Sequence, residues 1–119
     1  MSSSGGAARS VLYLQPKPGM RAALVDVFRR IDIPGHALQQ AGCLSVEVQV
    51  PPDEDGAVLV TALWRDRAAY DGWLANPWRE YSGRELEPFL ARESHGVVYD
   101  IVLAAGDVSA VAARDRSIS

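Results

Sequence analysis

The sequence predicts an α+β chain of the ferredoxin-like βαββαβ kind, a four-stranded antiparallel sheet with both helical regions on one face. Three observations predict it. Short runs of strand-forming residues and segments of helical period succeed one another in the order strand, helix, strand, strand, helix, strand. Both helical regions are interrupted by proline, at Pro34 in the first and at Pro77 and Pro88 in the second. Three of the four strands carry apolar residues on both faces, which a sheet covered on one side only does not need.

The elements follow in order. Residues 1–9 are small and polar and are expected to be a disordered tail. Ser10–Gln15 is rich in strand formers and is closed by Pro16 and Pro18-Gly19. From Met20 the period changes: Met20, Leu24, Val27, Phe28 and Ile31 share a helix face, with Arg21, Asp26, Arg29 and Arg30 opposite. Pro34-Gly35 interrupts this helix, and a short second piece over His36–Gln40 is expected before Gly42. Leu44, Val46, Val48 and Val50 alternate with polar residues as a half-buried strand. Pro51–Gly56 forms a turn and Ala57–Trp64 the returning strand of a hairpin. Asp66 is the expected N-cap of the next helix, whose inner face carries Ala69, Tyr70, Trp73 and Leu74. Asn76-Pro77 restarts it, with a further break at Pro88. His95–Leu103 reads as the last strand, and 106–119 as a C-terminal tail, leaving one domain over residues 10–105.

An apolar outer sheet face on the order of several hundred Å² is avoided by soluble monomers. A second copy packing its sheet on the first is the simplest remedy, so a homodimer is expected. The 119 residues suit one domain, and 48% hydrophobic with 23% charged residues is a globular composition. A net charge of −3 makes no electrostatic case for nucleic acid. The apolar runs fall far short of the roughly 18 residues that read as a membrane span. Met1–Gly6 has neither the basic nor the apolar region of a signal peptide, so a cytoplasmic location is expected. Cys43 is alone, which removes intramolecular disulfides and cysteine-based zinc sites. It is expected to behave as a small buried hydrophobe. His36 and His95 are not at ligand spacing, and no glycine-rich phosphate loop is present. Asp53, Glu54 and Asp55 read as a solvated turn.

The distinctive feature is aromatic. Trp64, Tyr70, Trp73, Trp78 and Tyr81 place five of the nine aromatic residues within eighteen positions, with Arg84 following. Such rings can simply fill a core. Helices broken by proline, however, leave space over the sheet. A cavity walled by these rings and by Phe28, with an arginine at its edge, suits a flat aromatic ligand bearing an ionised oxygen.

Gly42–Leu44, Trp64–Tyr70, Trp73, the Asn76-Pro77 step and Leu86–Leu90 together resemble the antibiotic biosynthesis monooxygenase family of the dimeric α/β-barrel superfamily, over about residues 10–104. The resemblance implies a homodimer of ferredoxin-like subunits, each with one cavity between sheet and helices. Some members of that family oxidise phenolic polyketide intermediates with dioxygen as co-substrate and no flavin, haem or metal. Carried onto this sequence, the resemblance has Trp64 shaping the site and stacking on the substrate. Tyr70 hydrogen bonds the substrate oxygen or relays a proton, and Arg84 holds the phenolate. His36 follows the first helix break and is a candidate base, since only histidine titrates near neutrality unperturbed. Trp73, Trp78, Tyr81 and Phe28 wall the substrate. Two departures stand out: no strand carries an asparagine, and residues 66–91 contain no histidine, which removes the ligand used by haem-degrading relatives. A polyketide cyclase or isomerase and a non-catalytic small-molecule-binding protein remain as alternatives.

Overall fold

The computed structural model describes residues 6–106 and has the expected order of elements: β1 (Ala8–Leu14), α1 (Arg21–Arg30), α2 (Ile33–Leu38), β2 (Cys43–Gln49), β3 (Val58–Trp64), α3 (Arg67–Leu74), α4 (Trp78–Leu86) and β4 (His95–Asp100), with a 3₁₀ turn over Glu87–Phe89. The four strands form one antiparallel sheet in the order β2-β3-β1-β4, the ferredoxin-like arrangement.

Four boundaries differ from the sequence expectation. Strand β1 begins at Ala8, inside the expected tail, because Ala8 pairs with Trp64 on one side and Asp100 on the other and is fully buried. Pairing there overrides a weak local preference. Residues 1–5 and nearly all of the expected C-terminal tail (107–119) lie outside the described residues. The first helix breaks at Asp32, before the proline rather than at it. Asp32 sits at φ 52 and its Oδ1 accepts the Gly35 N–H at 3.1 Å, so Pro34 falls in the first turn of α2, where its missing N–H is harmless. Helix α2 therefore runs Ile33–Leu38 rather than His36–Gln40. Strand β4 stops at Asp100, short of Leu103. Its last link is the Ile101 N–H to the Ala7 carbonyl at 2.9 Å, and Val102 and Leu103 project past the end of the sheet, 92% and 90% exposed.

The remaining signals act as expected. Asp66 caps α3 by accepting the Ala69 N–H at 2.9 Å, and the Asn76 Oδ1 accepts the Trp78 N–H at 2.9 Å as α4 begins. The Pro51–Gly56 turn is not simply solvated. The Arg21 guanidinium donates to the Pro51 carbonyl at 2.8 Å and the Asp53 carbonyl at 3.2 Å, which ties the start of α1 to the β2–β3 hairpin. At the opposite end Arg67 grips Asp100 with two nitrogens at 2.8 and 3.3 Å, joining α3 to β4.

The inner sheet face carries Ser10, Leu12 and Leu14 on β1 opposite Ala62, Val60 and Val58 on β3. Against it the core divides in two. One cluster joins Leu14, Leu24, Val27, Phe28, Ile33, Val58 and Leu86; the other joins Ala8, Ala62, Trp64, Ala69 and Tyr70. The cavity lies where they fail to meet, lined by members of both.

Candidate functional site

The cavity between sheet and helices has a volume of about 420 Å³, within the range of roughly 300–1,000 Å³ usual for small-molecule sites. Its floor is the middle of the sheet, where Leu12, Val60 and Ala62 present aliphatic side chains. Phe28, Ile33 and Leu86 close the end built by α1, α2 and α4. Trp64, Tyr70 and Trp73 form the other end.

Local structure positions these rings. Trp64 is the last residue of β3, 1% exposed, and its indole N–H donates to the Ser10 hydroxyl at 2.9 Å across the neighbouring strand. That bond satisfies the only polar atom of the indole and fixes the plane of the ring. The Asp66 cap sets the rotation of α3, which brings the Tyr70 ring to 5.7 Å from Trp64 at a 59° tilt. The Tyr70 hydroxyl points toward Gly96, where an added Cβ would lie 3.7 Å from it. Burial holds the Tyr70 phenol above its ordinary pKa, offset by the positive charge of Arg79. Tyr70 is therefore protonated at neutral pH and can donate.

Arg79, the second residue of α4, lines the cavity and places its guanidinium carbon 6.0 Å from the Trp73 ring centroid. It is the one cation among the described residues lining the cavity, and no carboxylate or imidazole lines it. Ser10 and Ser82 add hydroxyls to the wall, the latter donating to the Arg79 carbonyl at 3.0 Å.

The expected site residues thus divide. Trp64, Tyr70, Trp73 and Phe28 come together in the cavity. Arg84 does not: it is exposed and lines a neighbouring groove beside α4 rather than the cavity. The residues of α4 that face the sheet are Arg79, Ser82, Gly83 and Leu86, a helical i, i+3, i+4, i+7 stripe, and Arg84 lies off it. His36 is not in the cavity either; it stacks flat on Trp78, with centroids 3.8 Å apart and 15° between planes, and links α2 to α4 from outside. Trp78 in turn packs near Trp73 and Tyr81, at 6.3 and 5.8 Å, and Tyr81 is 39% exposed, so these two rings brace the wall from behind. Sequence reasoning missed Arg79 and Ser10. The stripe through Leu86 could have found the first, and the alternation with Leu12 and Leu14 the second.

Burial pushes the Cys43 thiol up to about 11, so it is no thiolate nucleophile at neutral pH. Among the described residues no three His, Cys, Asp or Glu side chains gather as a metal site would require, and no helix is long and apolar enough to cross a membrane.

Comparison with known proteins agrees with this architecture. The family model described as antibiotic biosynthesis monooxygenase matches residues 8–80. No protein of curated function matches the sequence significantly. Among solved structures, Rv0793 from Mycobacterium tuberculosis superposes with a TM-score of 0.70 at 19% identity, over 84% of this chain and 99% of the other. SnoaB, a cofactor-independent oxygenase from Streptomyces nogalater, gives a TM-score of 0.70 at 19% identity, over 86% and 99%. Protein SO0527 from Shewanella oneidensis gives 0.67 at 25% identity, over 84% and 95%.

Proposed function

Because the chain belongs to the antibiotic biosynthesis monooxygenase family, we propose that it is a cofactor-independent monooxygenase, oxidising a phenolic aromatic of polyketide type with dioxygen and working as a homodimer. The observation that carries this reading is the lining of the cavity. Four aromatic rings and one guanidinium, with a few serine hydroxyls, surround a largely aliphatic space in which Tyr70 and Arg79 are the ionisable groups.

Such a space favours a flat phenol bound as its anion. The Arg79 charge stabilises a phenolate oxygen, and the Tyr70 hydroxyl, held protonated by burial, donates a second hydrogen bond to it. With no carboxylate or imidazole in the lining, the substrate proton goes to water at the cavity mouth, or the substrate binds already ionised. Arg79 takes the part that the resemblance assigned to Arg84, and no base role falls to His36. The electron-rich phenolate then reacts with dioxygen directly. One oxygen atom enters the ring system as a new carbonyl, and the other leaves as water with the two hydrogens the ring gives up. Trp64 and Trp73 hold the ring flat and keep the reacting carbon dry. The cofactor-independent character of SnoaB supports a reaction of this kind without flavin, haem or metal. A cyclase or isomerase working by proton transfer would need a positioned base, and among the described residues the lining holds no carboxylate or imidazole to serve as one.

The test is oxygen consumption by the purified protein with an anthrone, each run paired with a protein-free control because anthrones oxidise spontaneously. Protein-dependent uptake of one dioxygen per quinone is expected. Tight binding of the anthrone without uptake would overturn catalysis and leave a small-molecule-binding protein.

A further inference from the structure

Helix α4 contains a glycine that its packing does not explain. Glycine within a helix destabilises it relative to alanine, so its presence calls for a reason. At Gly72 in α3 a Cβ would lie 2.7 Å from the Gln40 amide nitrogen, a contact that the end of that side chain would have to shift to relieve. Gly83 has none of that kind: a Cβ at Gly83 would meet nothing within 4 Å. Instead Gly83 stands where two hollows join. It lines the aromatic cavity and also the groove of about 460 Å³ beside α4, and Leu90 and Ser94 likewise line both. The groove is otherwise polar, with Arg84 and Arg92 beside Glu80, Glu87 and Glu93.

We propose that Gly83 marks the mouth of the cavity and determines specificity: a ring held inside extends a polar, oxygen-rich and uncharged substituent over Gly83 into the groove. The absence of a side chain keeps the gap between α4 and the segment before β4 open. The groove carries both signs of charge, so it supplies hydrogen-bond donors and acceptors without a strong net field, which suits a neutral chain better than an ionised one. The proposal rests on the reading of the cavity as a phenol site and adds the shape of the substrate: a flat ring with one protruding polar arm.

The experiment uses two probes, 1-naphthol and the same ring carrying a tri(ethylene glycol) chain, with affinity read from quenching of tryptophan fluorescence. Gly83→Ala and Gly83→Leu form a graded series, and the alanine variant guards against misfolding of the larger one. Gly83→Leu is expected to weaken the chain-bearing probe at least tenfold more than it weakens 1-naphthol, with Gly83→Ala between wild type and leucine. Equal loss for both probes, or no change for either, overturns the proposal. If the wild type binds neither probe, the phenol reading fails, and the mouth is then judged without a ligand by acrylamide quenching of Trp64 in a Trp73→Phe/Trp78→Phe background. Quenching reduced several-fold by Gly83→Leu supports a mouth at Gly83; unchanged quenching overturns it.

Discussion

Arg79 and Arg84 occupy the same short helix, yet only Arg79 turns toward the sheet. Replacing Arg79 by alanine removes the one positive charge in the lining, and a loss of about 10²–10³-fold in kcat/KM for anthrone oxidation is expected, the usual cost of one lost oxyanion donor. Arg84→Ala should stay within twofold for a substrate without a substituent arm, and equal losses in the two variants would refute the assignment. Cys43 gives a pH prediction. Its thiol is raised from 9.0 to about 11 in the fold, so the folded state keeps its proton over a range where the unfolded chain has lost it. The stability this contributes is complete below about pH 9 and falls as pH rises toward about 11. Urea midpoints measured from pH 8 to 11 should therefore drop, and Cys43→Ala should flatten part of the drop.

The junction between α1 and α2 depends on Asp32, which combines a left-handed backbone with a side-chain cap on Gly35. Alanine at position 32 would lose the cap and resist the positive φ. Asp32→Ala is expected to lower unfolding free energy by about 1–2 kcal/mol, and Asp32→Gly by only a few tenths, because glycine tolerates the backbone and is itself an acceptable cap. Chemical denaturation of the two variants checks the order; equal losses would mean that the backbone conformation contributes nothing. The break matters for the site because it turns α2 so that Ile33 and Ala37 face the cavity while His36 faces Trp78.

Among the described residues the helices pack on the inner face of the sheet, and the outer face also carries apolar side chains. The pairing register puts Val11 and Tyr13 of β1, Leu59 of β3, and Val97 and Tyr99 of β4 on that face, with Tyr13 and Tyr99 37% and 53% exposed. The Gln49 carbonyl oxygen on the same face is buried without a hydrogen-bond partner, and such a group calls for one. A second sheet packed there would cover the apolar residues. Light scattering on the eluting protein is expected to give twice the chain mass, and Leu59→Glu to give the monomer; a wild type that elutes as a monomer would remove the homodimer from the proposal.

Nearly all of the architecture was legible in the residues because it depends on local rules. Alternation in Leu44–Val50, the 3.6 period from Met20, the caps at Asp66 and Asn76 and the turn prolines each act within a few positions. Pairing and packing over longer distances decided the rest. Ala8 is a strand residue only because Trp64 and Asp100 lie beside it, and β4 ends where β1 runs out of partners. The same distinction runs through the site. Trp64 and Tyr70 were legible because a strand end and a capped helix start fix their directions. Arg79, rather than Arg84, reaches the cavity because the restart at Pro77 gives α4 its own rotation about its axis. That rotation is set by how Ser82 and Leu86 bury against the sheet, and it is a property of the packed molecule that no stretch of sequence carries alone.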